Sequence, residues 1–238
     1  MDVVDLREFY ATRLGITTRR LIANRLKLLM GSLAGVTIMG LGYGLPYLLS
    51  GVDEARRCFV FMPARQGVIH WPTEGLIRSS LVDECDLPLL ESTVDVALAI
   101  HGLELTDSPV EMLSELWRVL TPQGRLLLIV PNRRGLWASF DTSPFGYGQP
   151  FSAPQLVSLL RESRFSIVSW SHALFFPPVG GNVSLAAAGM LEGMGRHLVP
   201  GLGGVIIVEA VKQVYAISSG KRVRRIGANL RPALRPAG

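Results

Sequence analysis

Three features of the sequence predict an α/β fold built on an open sheet. Strand-like apolar runs alternate with helical segments along most of the chain. The run VDVALAI, residues 94–100, is apolar at nearly every position, the pattern of a strand buried on both faces of a parallel sheet. The run VTIMGLGYG, residues 36–44, ends in a glycine-rich turn where a strand hands over to a helix.

Residues 2–15 are expected to be helical. A second helix over 17–30 has Leu21, Ile22, Leu26, Leu28 and Leu29 as its apolar side; Thr17 or Thr18 can cap it and Gly31 can end it. The first strand and a short helix at 45–51 come next. RRCFVFMP (56–63) is a second strand, stopped by Pro63, and GLIRSSLVD (75–83) a third. After the strand at 94–100, a helix over 109–120 has Pro109 in its first turn and turns Met112, Leu113, Leu116, Val119 and Leu120 inward. Pro122 and Gly124 make the turn into GRLLLIVP (124–131). Residues 135–153 read as a surface loop. Ser152 can cap a helix over 154–162. SRFSIVSWSHALFFPP (163–178) is another strand, 183–199 an alanine-rich helix and 203–216 the final strand. No second core or linker interrupts this series, so residues 1–219 read as one domain, with N-terminal helices over 1–31.

Composition narrows the class. The chain of 238 residues is 48% hydrophobic and 18% charged, which is globular. Its mean hydropathy of +0.32 is high, and no charge occurs between Lys27 and Asp53. That stretch contains Gly31, Gly35, Gly40, Gly42, Gly44, Pro46 and Gly51, too many breakers for a lipid-facing helix. The N-terminus, MDVVDLREFY, lacks the basic start and apolar run of a signal peptide. Two cysteines, Cys58 and Cys85, make neither a disulfide scaffold nor a four-ligand zinc site, so a cytoplasmic protein with free thiols is expected.

The net charge of +5 is unevenly spread. Six of the 24 basic residues lie from Lys221 onward, where there is no acid; the other 18 face 19 acids. Basic tails bind nucleic acid or anionic lipid. With Gly227, Pro232, Pro236 and Gly238 and no apolar stripe, residues 220–238 read as a disordered, solvated tail. Nothing else suggests a nucleic-acid reader.

The glycines of GLGYG allow close backbone approach to a ligand at a helix start. They do not make a dinucleotide fingerprint, because the last glycine of G-x-G-x-x-G would fall on Leu45. Two further segments stand beside them: VDECDLPL (82–89), and VDVALAI with the sequence through RVLTPQG (118–124) into the next strand. Together these resemble the class I S-adenosylmethionine-dependent methyltransferases of the small-molecule branch (methyltransferase type 11-like). The matching positions are Gly40, Gly42 and Gly44, then Asp83 with Leu87-Pro88-Leu89, Val94-Asp95, and Arg118-Val119-Leu120 with Pro122 and Gly124.

The resemblance implies a Rossmann-like seven-stranded mixed sheet, order 3-2-1-4-5-7-6, with helices on both faces and S-adenosylmethionine over the carboxyl ends of the strands. It implies that Gly40, Gly42 and Gly44 admit the methionine part, that Asp83 accepts a hydrogen bond from the adenine amino group, and that Leu87 packs on the ring. Ile38 and Met62 stand where the family carries acids. Met62 falls at the ribose position, and a thioether is a poor acceptor for a diol.

His101, after the fourth strand, can take a proton from a hydroxyl or amine nucleophile; a hydrogen-bonded structural histidine is the competing reading. Glu104 and Asp107 share its loop, and Asp107 is expected to cap the helix that follows. Arg133 and Arg134 could hold an acidic substrate. Trp71 and Trp137 read as packing residues near the pocket mouth. No histidine pair has metal-ligand spacing. The expected activity is direct methyl transfer to an unidentified substrate. The alternative is a non-catalytic protein of the same fold serving as an interaction or regulatory module.

Overall fold

The computed structural model describes residues 1–49, 53–141, 143–178, 185–214 and 224–225. Helix α1 (Val3–Ala11) opens with a capping box: the Asp2 carboxylate accepts the Val4 and Asp5 N–H groups, and Asp5 accepts that of Asp2. Helix α2 spans Arg13–Met30. The break therefore falls at Thr12, not between residues 15 and 17 as the sequence suggested. Thr12 is extended and its hydroxyl accepts the Gly15 N–H. Gly15 lies within the first turn because a Cβ there would sit 2.0 Å from the Phe9 carbonyl oxygen.

The core of the sheet follows: β1 (Thr37–Gly42), α3 (Leu45–Leu48), β2 (Arg57–Pro63), β3 (Ser79–Val82) and β4 (Val94–Ile100). The third strand is shorter than expected. The Ser79 hydroxyl donates to the Ile69 carbonyl and accepts the Trp71 N–H, which folds the preceding segment back and delays pairing with Val60 until Ser79. Then come α4 (Pro109–Val119), β5 (Leu120–Pro131), α5 (Ala153–Glu162), β6 (Phe165–Ala173), α6 (Leu185–Leu198), β7 (Val205–Lys212) and a two-residue β8 (Arg224–Arg225).

The strand order is β3-β2-β1-β4-β5-β7-β6-β8. The first seven positions give the expected 3-2-1-4-5-7-6 series, with β7 antiparallel to β5 and β6. The eighth strand pairs in parallel with Ser169 and Trp170 of β6. The remainder of the expected tail lies outside the described residues.

Strand alternation divides the core in two. On one face, Cys58, Val60, Met62 and Leu98 pack against Ile22 and Leu26 of α2 and Ala188 of α6. On the other, Phe61, Ala97 and Leu128 pack against Leu113 and Leu116 of α4 and Leu156 of α5. Each fully buried large apolar side chain contributes about 1.5–3 kcal/mol of transfer free energy. Among the described residues no helix is long and apolar enough to cross a membrane.

Candidate functional site

Strands β1 to β4 are mutually parallel, so their carboxyl ends share one edge. The loops leaving β2, β3 and β4 enclose a cleft of about 420 Å³ there. Ala64 and Arg65 line it from the first loop, Asp83, Glu84 and Cys85 from the second, and Thr106 to Ser108 with Glu111 from the third.

The RVL segment positions the second of these loops. Arg118 donates to the carbonyls of Leu87 and Leu89, while Glu115 accepts the Leu87 N–H and pairs with Arg118. The motif therefore staples the loop after β3 to α4. Asp83 is exposed on the cleft, and its Oδ1 accepts the Cys85 N–H at 2.8 Å, which fixes the carboxylate's direction. Leu87 is buried in the core on the α4 side and is not among the cleft-lining residues.

The cleft is predominantly acidic. Its cation, Arg65, spans the gap between two loops: Nη1 donates to Asp107 Oδ2 at 2.9 Å and to the Leu105 carbonyl at 3.1 Å. Hydrogen bonding to Asp107 pushes the guanidinium pKa further up. Asp107 thus pairs across the cleft, and α4 has no side-chain cap. Burial, then the Glu84 and Asp83 carboxylates, push the Cys85 thiol up to about 11, so it is held as the unreactive thiol.

The glycine turn lies on the same edge but is not open. Gly42 has φ +82°, and a Cβ there would come 2.2 Å from the Ile100 carbonyl oxygen, so glycine is required for β1 to approach β4. At Gly40 a Cβ would meet Leu48 at 2.9 Å, and Gly44 begins α3. Above this turn sits Tyr10 from α1. Its ring stacks on Tyr43 with centroids 5.6 Å apart, and its hydroxyl lies 2.9 Å from that of Tyr47. Burial, then Tyr47, raise the Tyr10 pKa well above the ordinary phenol value.

The Tyr10 hydroxyl is also 2.8 Å from His101 Nε2. His101 ends β4 in a left-handed conformation, φ +53°, and is 1% exposed. On its other side, Nδ1 lies 3.3 Å from a buried Glu104 carboxylate oxygen. The two Glu104 carboxylate oxygens are buried with no hydrogen-bond partner, so this carboxylate sits beside the imidazole without being satisfied. A narrow extension of about 10 Å³, lined by Gln66, His101 and Gly102, also borders Arg65 and Glu84 of the acidic cleft.

Met62, expected at the ribose, is fully buried on the α2 side of the sheet and lines neither space. Ile38 is likewise in that core. Asn132 donates to the carbonyls of Gly201 and Gly203, a structural task. Trp137 is completely buried and donates to the Phe176 carbonyl. The residues that sequence reasoning missed are Tyr10, Tyr47 and Arg65. The aromatic pairs FY and YGLPY were visible signals, but nothing local joins them.

A family model described as a methyltransferase domain matches residues 65–128. No curated protein sequence matches the chain. Solved structures do. One is an S-adenosylmethionine-dependent methyltransferase, possible histamine N-methyltransferase, from Thermotoga maritima: 15% identity, 89% of this chain and 96% of that one, TM-score 0.62. Another is an S-adenosylmethionine-dependent methyltransferase from Archaeoglobus fulgidus: 18% identity, 82% and 94% covered, TM-score 0.56. A third is the 1,6-didemethyltoxoflavin-N1-methyltransferase of Burkholderia thailandensis, with bound 1,6-didemethyltoxoflavin and S-adenosylhomocysteine: 17% identity, 80% and 76% covered, TM-score 0.51. The chain therefore has the fold of the class I S-adenosylmethionine-dependent methyltransferases, and its residues 65–128 match a methyltransferase domain.

Proposed function

We propose that the chain is an S-adenosylmethionine-dependent methyltransferase acting on a small molecule by direct methyl transfer. The observation that carries this reading is Asp83. Its carboxylate opens on the 420 Å³ cleft from the end of β3, on the same edge as the Gly42 turn. The donor chemistry fits the adenosyl half: a fixed carboxylate is a strong acceptor for an adenine amino group. The amino-acid half fits only after a rearrangement, because Tyr10, Tyr43 and Tyr47 pack over the glycine turn. Binding therefore requires Tyr10, with the end of α1, to withdraw.

When bound, S-adenosylmethionine supplies an electrophilic methyl group. The protein's part is to orient the substrate and exclude water. Withdrawal of Tyr10 frees His101 Nε2 to accept the proton of an attacking hydroxyl or amine, beside the buried Glu104 carboxylate. The free thiols Cys58 and Cys85 fit a reducing cytoplasm.

Calorimetric titration with S-adenosylhomocysteine tests the reading. The full-length protein should bind, and Asp83→Ala should lose about one to two decades of affinity, the worth of a hydrogen bond to a charged group. The non-catalytic reading draws on the same Tyr10 contacts and on the burial of Met62. It requires that neither the wild type nor Tyr10→Ala gives any heat.

A further inference from the structure

We infer that the outward face of α2 and α6 is a docking surface for a lipid bilayer carrying anionic headgroups. Helix α6 is inverted. A helix laid on a sheet normally buries its large apolar side chains and exposes its polar ones. Here Ala188, Glu192 and Gly195 face inward. Glu192 accepts the Phe175 N–H, and a Cβ at Gly195 would come 2.4 Å from Phe175. The large apolar residues face out: Met190, Leu191, Met194 and Leu198 are 64, 38, 52 and 73% exposed. Met190, Met194 and Leu198 recur every fourth residue and form one row about 12 Å long. Val199 and Leu202, just beyond the end of α6, are exposed as well. Scattered exposed apolar residues need no explanation, but a continuous row does.

Charge identifies the occupant. No acid occurs between Glu8 and Asp53, and α2 carries Arg19, Arg20, Arg25 and Lys27 in that stretch. The inward sides of α2 and α6 belong to the same core cluster, through Ile22, Leu26 and Ala188, so their outward sides look the same way. Arg25 of α2 is close enough to Arg196 and Glu192 of α6 to feel both charges. On α6 itself Arg196 and His197 are exposed while the acid, Glu192, is buried. Helix α1 contributes Asp2 and Asp5, which serve the capping box, and one further exposed acid, Glu8. The sequence from Lys221 onward adds six basic residues and no acid.

An apolar row with basic flanks is what a bilayer interface selects: acyl chains take the Met and Leu side chains, and anionic headgroups take the cations. A second copy of the same face would set like charges against one another. A nucleic acid would leave the apolar row in water, and the row has no aromatic ring for base stacking.

Vesicle co-sedimentation of the full chain tests this directly, independently of cofactor binding. Wild type should pellet with phosphatidylcholine vesicles containing phosphatidylglycerol and not with phosphatidylcholine alone, and added salt should release it. Arg20→Gln with Lys27→Gln should weaken binding about 25-fold, at roughly fivefold per charge removed. Met194→Asp with Leu198→Asp should weaken it at least about tenfold by burying charge in the interface. All four positions are exposed, so unchanged melting confirms that the variants fold. The proposal is overturned if wild type stays in the supernatant, if neutral vesicles bind it equally, or if both double variants still bind. A dimer in solution that Leu198→Asp dissociates would show that a second copy covers this face instead.

Discussion

Tyr10 and His101 are 91 residues apart in sequence, yet the phenol oxygen and the imidazole Nε2 lie 2.8 Å apart in the core. This contact joins the first helix to the end of the central strand and closes the glycine turn. It makes α1 part of the site and not an appendage. It is also the hinge of the functional account, because His101 cannot serve as a base while Tyr10 holds it.

Removing the Tyr10 hydroxyl tests that contact. Tyr10→Phe removes the hydroxyl that the Tyr47 hydroxyl and His101 Nε2 both contact in the core. The expected loss is about 1–3 kcal/mol, seen as a melting temperature lower by a few degrees.

The buried phenols make stability sensitive to alkali. Burial raises the pKa of both Tyr10 and Tyr47, so the folded state holds their protons more tightly than the unfolded chain. The stability this confers is complete below the unfolded tyrosine value of about 10 and falls as pH rises above it toward the folded values. Alkaline titration should show tyrosinate absorbance from these residues appearing together with the loss of far-UV circular dichroism. Full ionisation of every tyrosine with the fold intact would contradict their placement.

Gly42→Ala should be strongly damaging. It meets the Ile100 carbonyl at 2.2 Å and a positive φ at once. A loss of about 3 kcal/mol or more is expected, a fall of roughly 6–12 °C in a thermal melt.

Met62→Asp should destabilise rather than supply a ribose acceptor. Its side chain is fully buried among apolar neighbours, and an unpaired carboxylate there costs about 3–5 kcal/mol. Urea unfolding would show it. A variant as stable as wild type that binds S-adenosylhomocysteine more tightly would return Met62 to the site.

Cys85 should be a poor nucleophile despite its position in the cleft. With the thiol raised to about 11, its alkylation by iodoacetamide at about pH 8 should be roughly two orders of magnitude slower than that of a free thiol.

The sheet was legible because its signals are local. The run at 94–100 is β4 residue for residue, and the RVL segment marked the end of α4; the turn expected at Pro122 and Gly124 is instead an irregularity inside β5, which already pairs with β4 at Leu120. The position of Asp83 was legible for the same reason, since a strand end and its loop are neighbours in sequence. Met62 could have been read correctly from period-two alternation, because it shares a face with Cys58 and Val60. Tyr10 could not. Its place depends on where Thr12 breaks the N-terminal helices and on how α1 crosses to Gln66, whose carbonyl accepts the Val3 N–H. Arg65 was missed likewise, because its partner Asp107 comes from another loop.

The central claim is that the cleft at Asp83 receives the adenosyl group and that Tyr10 yields the glycine turn to the rest of the cofactor. A crystal structure of the full-length protein with S-adenosylhomocysteine tests it most directly. The adenine amino group should lie within hydrogen-bonding distance of the Asp83 carboxylate, and the Tyr10 hydroxyl should be parted from His101 Nε2. A ligand bound elsewhere, or one seated at Asp83 with Tyr10 still joined to His101 and Tyr47, would contradict it.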